Sequence, residues 1–331
     1  MSQFNCYVVS KGENDQVAAG TTRRDLADLP DGEVLIRVAF SSLNYKDALA
    51  ATGRPGVARK FPHVPGIDAA GEVAESRVPQ FQAGQKVLVT GYDLGAGRWG
   101  GWAEYVRVPA EWVIPLPPGL SLIDSMRLGT AGFTAALSID ALKRHELVPE
   151  SGEIVVTGAT GGVGCLAVRI LSKLGYSVVA VTGKQNRHEW LRELGAKRVI
   201  GRADVDVHGG NPLLKAVWAG AVDTVGGNTL ATILRSTEIG GCVTACGLVG
   251  GIELSMTVFP FILRGVTLCG IDTGWTRRER RIEIWRHLAS DWRPDGLAEL
   301  SQTVELADVD APVQRILAGE IVGRTVVRVA G

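Results

Sequence analysis

The chain has few cysteines, no net charge and no long apolar run, and each of these absences excludes a class of protein. It has five cysteines in 331 residues, and none lies in a Cys-x-x-Cys pair, so a disulfide framework is excluded. Its 35 basic and 35 acidic residues cancel, which leaves no broad positive field to hold a nucleic acid. No uninterrupted apolar run reaches the roughly 18 to 20 residues of a membrane helix. We therefore expect neither nucleic acid nor membrane as a partner.

Signals for export and for metal binding are also scarce. The first residues carry no basic segment, no sustained apolar run and no small-residue cleavage site, so we expect a cytoplasmic protein. Cys242 and Cys246 come nearest to a metal-binding pair. Strand-like residues surround them, however, and no further Cys or His lies close by in the sequence. No metal is predicted.

Glycine, in contrast, is abundant, with 42 residues that imply many tight turns. Short alternating segments separated by Gly and Pro dominate the first third of the chain and predict a β-rich lobe. These candidate strands are 32–40, 70–76, 84–91 and 103–109.

After the turn-rich segment 113–121 the pattern changes to short apolar strands that alternate with helices, which predicts a doubly wound parallel sheet. The candidate strands are 153–159, 176–183, 197–200, 221–227, 241–247 and 266–272, and the helices are 162–174 and 185–194. A last stretch holds a helix at 278–292, a helix through 313–317 and a strand at 323–330, which we expect to rejoin the first lobe.

A glycine cluster lies where the strand at 153–159 turns into a helix. Its spacing, Gly158, Gly161, Gly162 and Gly164, lets backbone N–H groups approach a pyrophosphate at the positive end of the helix. The alternative is a turn that merely packs tightly. The order of strand, turn, helix and second strand favours a dinucleotide site, with contacts at Thr160, Gly161, Gly162 and Val163.

The end of the second strand indicates which dinucleotide is bound. NAD-binding proteins usually place an acid there to meet the adenosine ribose, but residues 182–187 contain none. A hydroxyl and several cations stand there instead, and they would suit the 2′-phosphate of NADPH. The predicted contacts are Thr182, Gly183, Lys184, Arg187 and Arg202. The alternative is a solvated helix start.

Several segments together resemble the medium-chain dehydrogenase/reductase superfamily, in order over nearly the whole chain. They include SSLNYKDALAATG (41–53), FPHVPGIDAAGEV (61–73), WGGWAEYVRVP (99–109), LGTAGFTAAL (128–137), VTGATGGVG (156–164) and FILRGVTLCGID (261–272). The combination is similar to the subgroup of acrylyl-CoA reductases and quinone-oxidoreductase-like relatives.

The resemblance implies an α/β fold in which a Rossmann doubly wound parallel sheet is inserted into a GroES-like β-rich catalytic domain. The implied limits are 1–122 for the first part of the catalytic domain, 123–272 for the NADPH-binding domain and 273–331 for the return. It further implies a cleft between the lobes for nicotinamide and substrate, and a homodimer formed through edges of the Rossmann domain.

The resemblance also locates where zinc-dependent members hold their catalytic metal. The matching positions are Asn44, Ile67 and Thr130, and none is an ordinary zinc ligand. Without a Lewis acid, the remaining chemistry is hydride addition to a double bond already activated by conjugation. We therefore expect a zinc-independent enzyme that needs a hydrogen-bond donor for the developing negative charge and a source of a proton.

The NYKD motif supplies the first catalytic candidates. Tyr45 can donate a hydrogen bond while uncharged or orient the nicotinamide, although it could also only pack on the cofactor. Asn44 could donate its amide, while Lys46 and Asp47 are expected to orient the loop. Arg324 approaches the site by family analogy, with a surface arginine as the alternative.

The family pattern places further cofactor contacts at Tyr45, Leu248, Ile262, Thr273 and Gly319. For the substrate, Arg54, Arg59 and Lys60 could meet the phosphates of coenzyme A, although such cations often mark a solvated loop. Trp99 could flank an acyl pocket or belong to the core.

These observations predict an NADPH-dependent reductase of short 2-enoyl thioesters, acrylyl-CoA first. The alternative within the enzymes is the reduction of quinones or of α,β-unsaturated ketones and aldehydes. A noncatalytic NADPH-binding protein is the alternative from a different class.

Overall fold

Strands make up most of the framework of the computed structural model, which describes residues 3–329. In chain order they are β1 Gln3–Lys11, β2 Val17–Asp25, β3 Val34–Leu43, β4 Asp68–Ser76, β5 Lys86–Thr90, β6 Tyr105–Val108, β7 Ile114–Pro115, β8 Glu153–Val156, β9 Ser177–Val181, β10 Arg198–Ile200, β11 Trp218–Asp223, β12 Thr237–Ala245, β13 Thr267–Gly270, β14 Ser301–Glu305 and β15 Arg324–Arg328.

The α-helices of the described residues lie mostly in the second half of the chain. They are α1 Tyr45–Ala51, α2 Leu122–Arg144, α3 Gly162–Lys173, α4 His188–Glu193, α5 Gly227–Ser236, α6 Phe259–Arg264, α7 Arg278–Ala289 and α8 Asp310–Leu317. None of the helices within residues 3–329 combines the length and the apolar character needed to cross a membrane.

The described residues divide into two units, each with its own internal contacts. The first, here called the β-rich unit, contains Met1–Thr130, Gly274–Ala289 and Gly296–Gly331, as far as these are described. The second, here called the parallel-sheet unit, contains Ala131–Thr273 and Ser290–Asp295. The domain limits expected from the resemblance stay a prediction.

The β-rich unit is built on a mixed sheet in the order β14-β15-β3-β4-β5-β7, with β6 also paired to β3. Strand β15 from the end of the chain runs antiparallel to β3, so the chain returns to its first sheet. Strands β1 and β2 form a separate antiparallel pair. Phe4, Trp102 and Val106 belong to the buried core of this unit.

The parallel-sheet unit contains one six-stranded sheet in the order β10-β9-β8-β11-β12-β13, and every adjacent pair is parallel. All six residues of β11 are buried, as expected for a central strand covered on both faces. The strand order reverses between β8 and β11, and ligands of such sheets bind at the carboxyl ends of the strands beside this point.

Helix α2 is interrupted at Gly129, which has a left-handed backbone (φ 52°) inside a helical segment. A Cβ at this position would lie 2.6 Å from Asp68 Oδ2 and 2.9 Å from Arg324 Nη2. Only glycine fits both the backbone and the crowding. The break therefore places the start of the following helical segment, Thr130, against Asp68.

Candidate active site

A buried carboxylate gathers four elements of the β-rich unit. Asp68 begins β4 and is fully buried. Its Oδ2 accepts hydrogen bonds from Ser42 Oγ (2.5 Å) and Asn44 Nδ2 (2.9 Å), and its Oδ1 accepts one from Thr130 Oγ1 (2.6 Å). The backbone N–H of Thr130 adds a further bond at 2.9 Å. A buried acid bonded in this way fixes the relative positions of β3, β4, the start of α1 and Thr130 within the β-rich unit.

Asn44 lies at the centre of the same network. Its Nδ2 lies within 3.0 Å of acceptors on Ser42, Asp47 and Asp68, and its Oδ1 accepts from Arg324 Nη1 at 3.2 Å. Both amide hydrogens therefore have acceptors within this unit. This arrangement orients Asn44, which is also the N-cap of α1.

Asp47 anchors the first turn of α1. Its carboxylate accepts from the Asn44 backbone N–H (2.8 Å) and from the backbone N–H groups of Ile67 (2.7 Å) and Gly66 (3.1 Å). Burial, followed by the charge of Asp68, raises the pKa of Asp47 to about 7, while the hydrogen bonds from Ile67 and Asn44 oppose the rise. The expectation that Asp47 orients this loop through backbone bonds agrees with these contacts.

Arg324 opens β15 and is only 4% exposed, so the alternative of a surface arginine is wrong. Its Nη1 donates to Asn44 Oδ1 and to the Leu43 carbonyl (3.3 Å), and its Nε donates to the Arg127 carbonyl (3.1 Å). The guanidinium thus ties the last strand to the end of β3.

Tyr45 is 37% exposed and Lys46 after it is exposed too, while Asn44 and Asp47 on either side of this pair are buried. It is the first residue of α1, and the network just described fixes the backbone at that point. Tyr45 and Lys46 are therefore the two residues of the NYKD motif that are accessible to a bound molecule.

The three positions that match the zinc ligands of the superfamily are occupied as the sequence showed. Asn44 and Thr130 both donate to Asp68, and the Ile67 side chain is buried. Amide, hydroxyl and hydrocarbon groups form a poor donor set for zinc. Within residues 3–329, no three His, Cys, Asp or Glu side chains are grouped so that they could hold a metal.

The candidate substrate residues lie in the same unit. Arg54, Arg59 and Lys60 are exposed after α1. Trp99 is half-buried, and its indole N–H donates to the Pro62 carbonyl at 3.0 Å. Nearby, Trp102 is fully buried and donates to the Ser42 carbonyl at 3.1 Å, which makes it part of the core.

The glycine turn of the parallel-sheet unit follows β8. Gly158 has a left-handed backbone (φ 56°), and its carbonyl accepts from the Gly161 N–H at 2.8 Å. A Cβ on Gly164 would lie 2.3 Å from that same carbonyl oxygen. Helix α3 then begins at Gly162, so the first N–H groups of the helix, including that of Val163, have no carbonyl partner within the helix. This geometry is a cradle for an anion.

A buried hydrogen-bonded pair, Thr157 and Asp223, supports the backbone that leads into the glycine turn. The sequence did not predict this pair. Thr157 Oγ1 donates to Asp223 Oδ1 at 2.7 Å, and Thr224 Oγ1 donates to the Thr157 carbonyl at 2.9 Å. Asp223 also accepts from the Gly226 N–H at 2.7 Å, and burial raises its pKa. These bonds join the ends of β8 and β11, the two strands that border the reversal in strand order.

The expected ribose site follows β9. Thr182 is buried, and its Oγ1 accepts from the Lys184 N–H at 3.1 Å, which fixes the turn. A Cβ on Gly183 would lie 2.8 Å from Arg202 Nε, so the guanidinium of Arg202 lies directly against this glycine. Arg187 is exposed one turn further on. The structure thus brings Thr182, Gly183, Lys184 and Arg202 together.

A pocket of about 500 Å³ opens at the carboxyl ends of β12 and β13, lined by residues 245–248 and 270–272. Leu248 lies in its wall and is 59% exposed. Cys246 also lines it, with Sγ 3.3 Å from the Asp223 carbonyl. Burial, aided by the charge of Asp223, raises the pKa of Cys246 to about 12, so this thiol is not a nucleophile near neutral pH.

The remaining predicted cofactor contacts are dispersed. Thr273 shares a hydrogen bond of 2.8 Å with the buried Thr134. Ile262 is 67% exposed on α6. Gly319 follows α8 in the β-rich unit, with a left-handed backbone (φ 72°). Their assignment as cofactor contacts stays a prediction.

The glycine turn lies where the strand order of the parallel sheet reverses, as in dinucleotide-binding domains. The β-rich unit contains segments from both the first and the last part of the chain. Together these features are typical of a dinucleotide-dependent oxidoreductase. The chain belongs to the medium-chain dehydrogenase/reductase family. Residues 30–118 match the family model "Alcohol dehydrogenase GroES-like domain", and residues 162–290 match "Zinc-binding dehydrogenase".

Two individual members of the family are similar to this chain over nearly its whole length. The chain is 47% identical to the probable acrylyl-CoA reductase AcuI of Escherichia coli, over 96% of this chain and 97% of that protein. It is 45% identical to a Bacillus subtilis protein, YhfP, provisionally named a quinone oxidoreductase, over 95% of this chain and 96% of that protein.

Solved structures agree with the fold. The yhdH oxidoreductase of Salmonella enterica, in complex with NADP, has a TM-score of 0.96 at 44% identity, with 98% of this chain and 100% of that chain covered. Bacillus subtilis yhfP, solved with NAD bound, also has a TM-score of 0.96 at 44% identity, with 99% and 100% covered. The predicted family and the predicted fold class are confirmed.

Proposed function

We propose that the protein is an NADPH-dependent reductase that saturates the C=C bond of a short 2-enoyl-CoA, converting acrylyl-CoA to propionyl-CoA. The assignment of the substrate rests on one observation. The chain is 47% identical to a protein named a probable acrylyl-CoA reductase, over nearly the full length of both proteins. The reduction of quinones or enones is the second candidate, because the similarity to YhfP is nearly as high.

The choice of NADPH is supported by the turn after β9. Lys184 and Arg202 offer two cations beside a glycine and a hydroxyl, and this set suits a 2′-phosphate better than a bare ribose. The Salmonella enterica structure holds NADP, whereas the Bacillus subtilis structure holds NAD. The cradle formed by Thr160, Gly161, Gly162 and Val163 would hold the pyrophosphate, with Leu248 and Thr273 toward the nicotinamide.

The chemistry then divides between the cofactor and the chain. When bound, NADPH supplies a hydride for the β-carbon of the enoyl thioester. Tyr45 would donate a hydrogen bond to the thioester oxygen as negative charge develops there, and the α-carbon would then take a proton, from Tyr45 or from solvent, to complete the saturation. Asn44, Asp68 and Arg324 would hold the start of α1 so that this hydroxyl stays in place. Arg54, Arg59 and Lys60 would attract the phosphates of coenzyme A.

We also propose a homodimer. Strand β13 is an edge of the parallel sheet, since it pairs only with β12. In the segment that precedes it along the chain, Val258, Phe259 and Leu263 are 61%, 41% and 60% exposed, which is unusual for a group of large apolar side chains. Pairing of two such edges would cover both the backbone and these side chains. A cytoplasmic location stays a prediction from the sequence.

The decisive experiment is the initial rate of NADPH oxidation with acrylyl-CoA, beside crotonyl-CoA, a benzoquinone and an NADH control. We expect saturable turnover that prefers acrylyl-CoA and NADPH. In the same assay, Tyr45→Phe should lower kcat and leave the KM for NADPH nearly unchanged. Turnover of the quinone alone would favour the second candidate, and a lack of turnover with every acceptor would contradict both.

A second prediction concerns the cations after β9. Lys184→Gln and Arg202→Gln should each raise the KM for NADPH by about tenfold, with little change for NADH, because only NADPH carries the 2′-phosphate. Lys215→Gln, at an exposed position of the same unit, is the matched control. Equal effects on the two cofactors would refute the assignment of a 2′-phosphate site.

A further inference from the structure

Trp275 is the most exposed tryptophan of the β-rich unit, with 62% of its surface open to solvent. It lies in the segment between β13 and α7, three residues along the chain from Asp272, which lines the pocket of the parallel-sheet unit. An indole has a large apolar surface, so a ligand that covers it recovers the free energy that its exposure to water costs.

A stack of rings holds this exposed indole. The Tyr92 ring lies parallel to the Trp112 ring, with centroids 5.0 Å apart, and the Arg281 guanidinium lies 4.4 Å from the Tyr92 centroid. Trp275 meets Tyr92 in a perpendicular arrangement, with centroids 6.1 Å apart. Each contact is of a kind that stabilises aromatic groups.

The backbone beside Trp275 is fixed as well. The Gly274 carbonyl accepts from the Tyr92 N–H at 3.0 Å and from Arg281 Nη2 at 3.1 Å. Arg281 is itself fully buried and donates to the Thr90 carbonyl at 2.8 Å. Tyr92 holds a left-handed backbone (φ 53°), which is rare for an aromatic residue. Trp275 and the rings of Tyr92 and Trp112, here called the aromatic platform, are therefore preorganised, which lowers the entropic cost of binding a ligand.

A positively charged residue, Arg277, follows Trp275 closely in the chain. Arg277 is exposed two residues after Trp275, and among residues 3–329 no carboxylate lies within ion-pair distance of its guanidinium. Its neighbours are engaged, since Arg278 donates to the Val113 carbonyl and Arg280 pairs with Glu283. An exposed indole and, two residues along the chain, an exposed guanidinium without a carboxylate partner are the two kinds of group that recognise a purine carrying a phosphate.

We propose that Trp275 and Arg277 form a subsite for the adenosine 3′,5′-bisphosphate end of coenzyme A, with the adenine stacked on the indole and a phosphate paired with the guanidinium. The inference rests on the proposed function only in taking a coenzyme A thioester as the substrate. Trp275 and Arg277 would add a contact for the adenine and one for a phosphate to the attraction expected from Arg54, Arg59 and Lys60, and the reacting atoms would lie at the site around Tyr45.

The test is a calorimetric titration of adenosine 3′,5′-bisphosphate into protein already saturated with NADP+, so that the adenosine site of the cofactor is filled. We expect saturable binding, about tenfold weaker in Trp275→Ala and largely retained in Trp275→Phe. Arg277→Gln should weaken binding and reduce its dependence on salt. Arg315→Gln, at an exposed position on α8, should have no effect.

The outcomes separate this inference from the proposed function. Failure of the wild-type protein to bind the bisphosphate, or equal binding by Trp275→Ala, would overturn the subsite even if acrylyl-CoA is reduced. A rise in the KM for acrylyl-CoA but not for acrylyl-pantetheine in Trp275→Ala would support it. Equal rises for both thioesters would overturn it, because the second lacks the nucleotide. Binding of the bisphosphate by a protein that reduces no enoyl-CoA would leave the subsite standing and remove the proposed reaction.

Discussion

Asp68→Ala should lower the free energy of unfolding of the β-rich unit by about 3 kcal/mol or more, because it leaves several buried donors without their acceptor. The N–H of Thr130, the amide of Asn44 and the hydroxyl of Ser42 all point at the lost carboxylate. The measurement is the midpoint of urea unfolding, followed by circular dichroism. We also expect kcat to fall, since the start of α1 and Tyr45 are held through Asn44.

The matched control removes a carboxylate that does not lie in a network. Asp31 pairs with Arg77 at 3.2 Å, and its side chain is 94% exposed. Asp31→Ala should change the free energy of unfolding by less than about 1 kcal/mol. Equal effects of the two substitutions would show that the buried bonds to Asp68 contribute no more than a surface pair.

Gly164→Ala should abolish binding of NADPH at concentrations that saturate the wild-type protein. The added Cβ would lie 2.3 Å from the Gly158 carbonyl oxygen and 2.7 Å from the Ala159 Cα, both of which are backbone atoms that a side-chain rotation cannot relieve. The turn and the start of α3 would have to separate, and the anion cradle would be lost. The measurement is the enhancement of NADPH fluorescence on titration with protein.

Gly210→Ala serves as the control for this substitution, because nothing lies within 4 Å of the Cβ it would add and its φ is ordinary. It should bind NADPH as the wild-type protein does. Circular dichroism of Gly164→Ala should show a folded protein. A folded Gly164→Ala variant with unchanged affinity would contradict the assignment of this turn to the pyrophosphate.

Local patterns in the sequence predicted much of the parallel-sheet unit. The strand, glycine turn and helix around 153–174 correspond to β8 and α3, because chain direction there is set by residues close in sequence. The strand expected at 221–227 is displaced and runs over Trp218–Asp223. Gly226 and Gly227 have left-handed backbones (φ 76° and 56°) and lead into α5, so they could not extend a strand.

The network around Asp68 could not be predicted in the same way. Ser42, Asp68, Thr130 and Arg324 are separated by long stretches of chain, and only the pairing of β3 with β4 and β15 brings three of them together. The family resemblance placed Asn44 and Thr130 at former metal positions but gave no reason for their contact with Asp68. The break of α2 at Gly129 could not be predicted either, because the groups that leave no room for a Cβ there, Asp68 and Arg324, are distant in the sequence.

The contact between Gly183 and Arg202 links two positions of the chain in evolution. A Cβ at position 183 would lie 2.8 Å from Arg202 Nε and 3.0 Å from its Cζ, so the guanidinium would have to move away from Gly183. An acid at 183 would both displace the cation and offer a partner to the hydroxyls of an unphosphorylated ribose. Substitutions at positions 183 and 202 should therefore covary among relatives. A change of preference between NADPH and NADH within the family should involve substitutions at both positions.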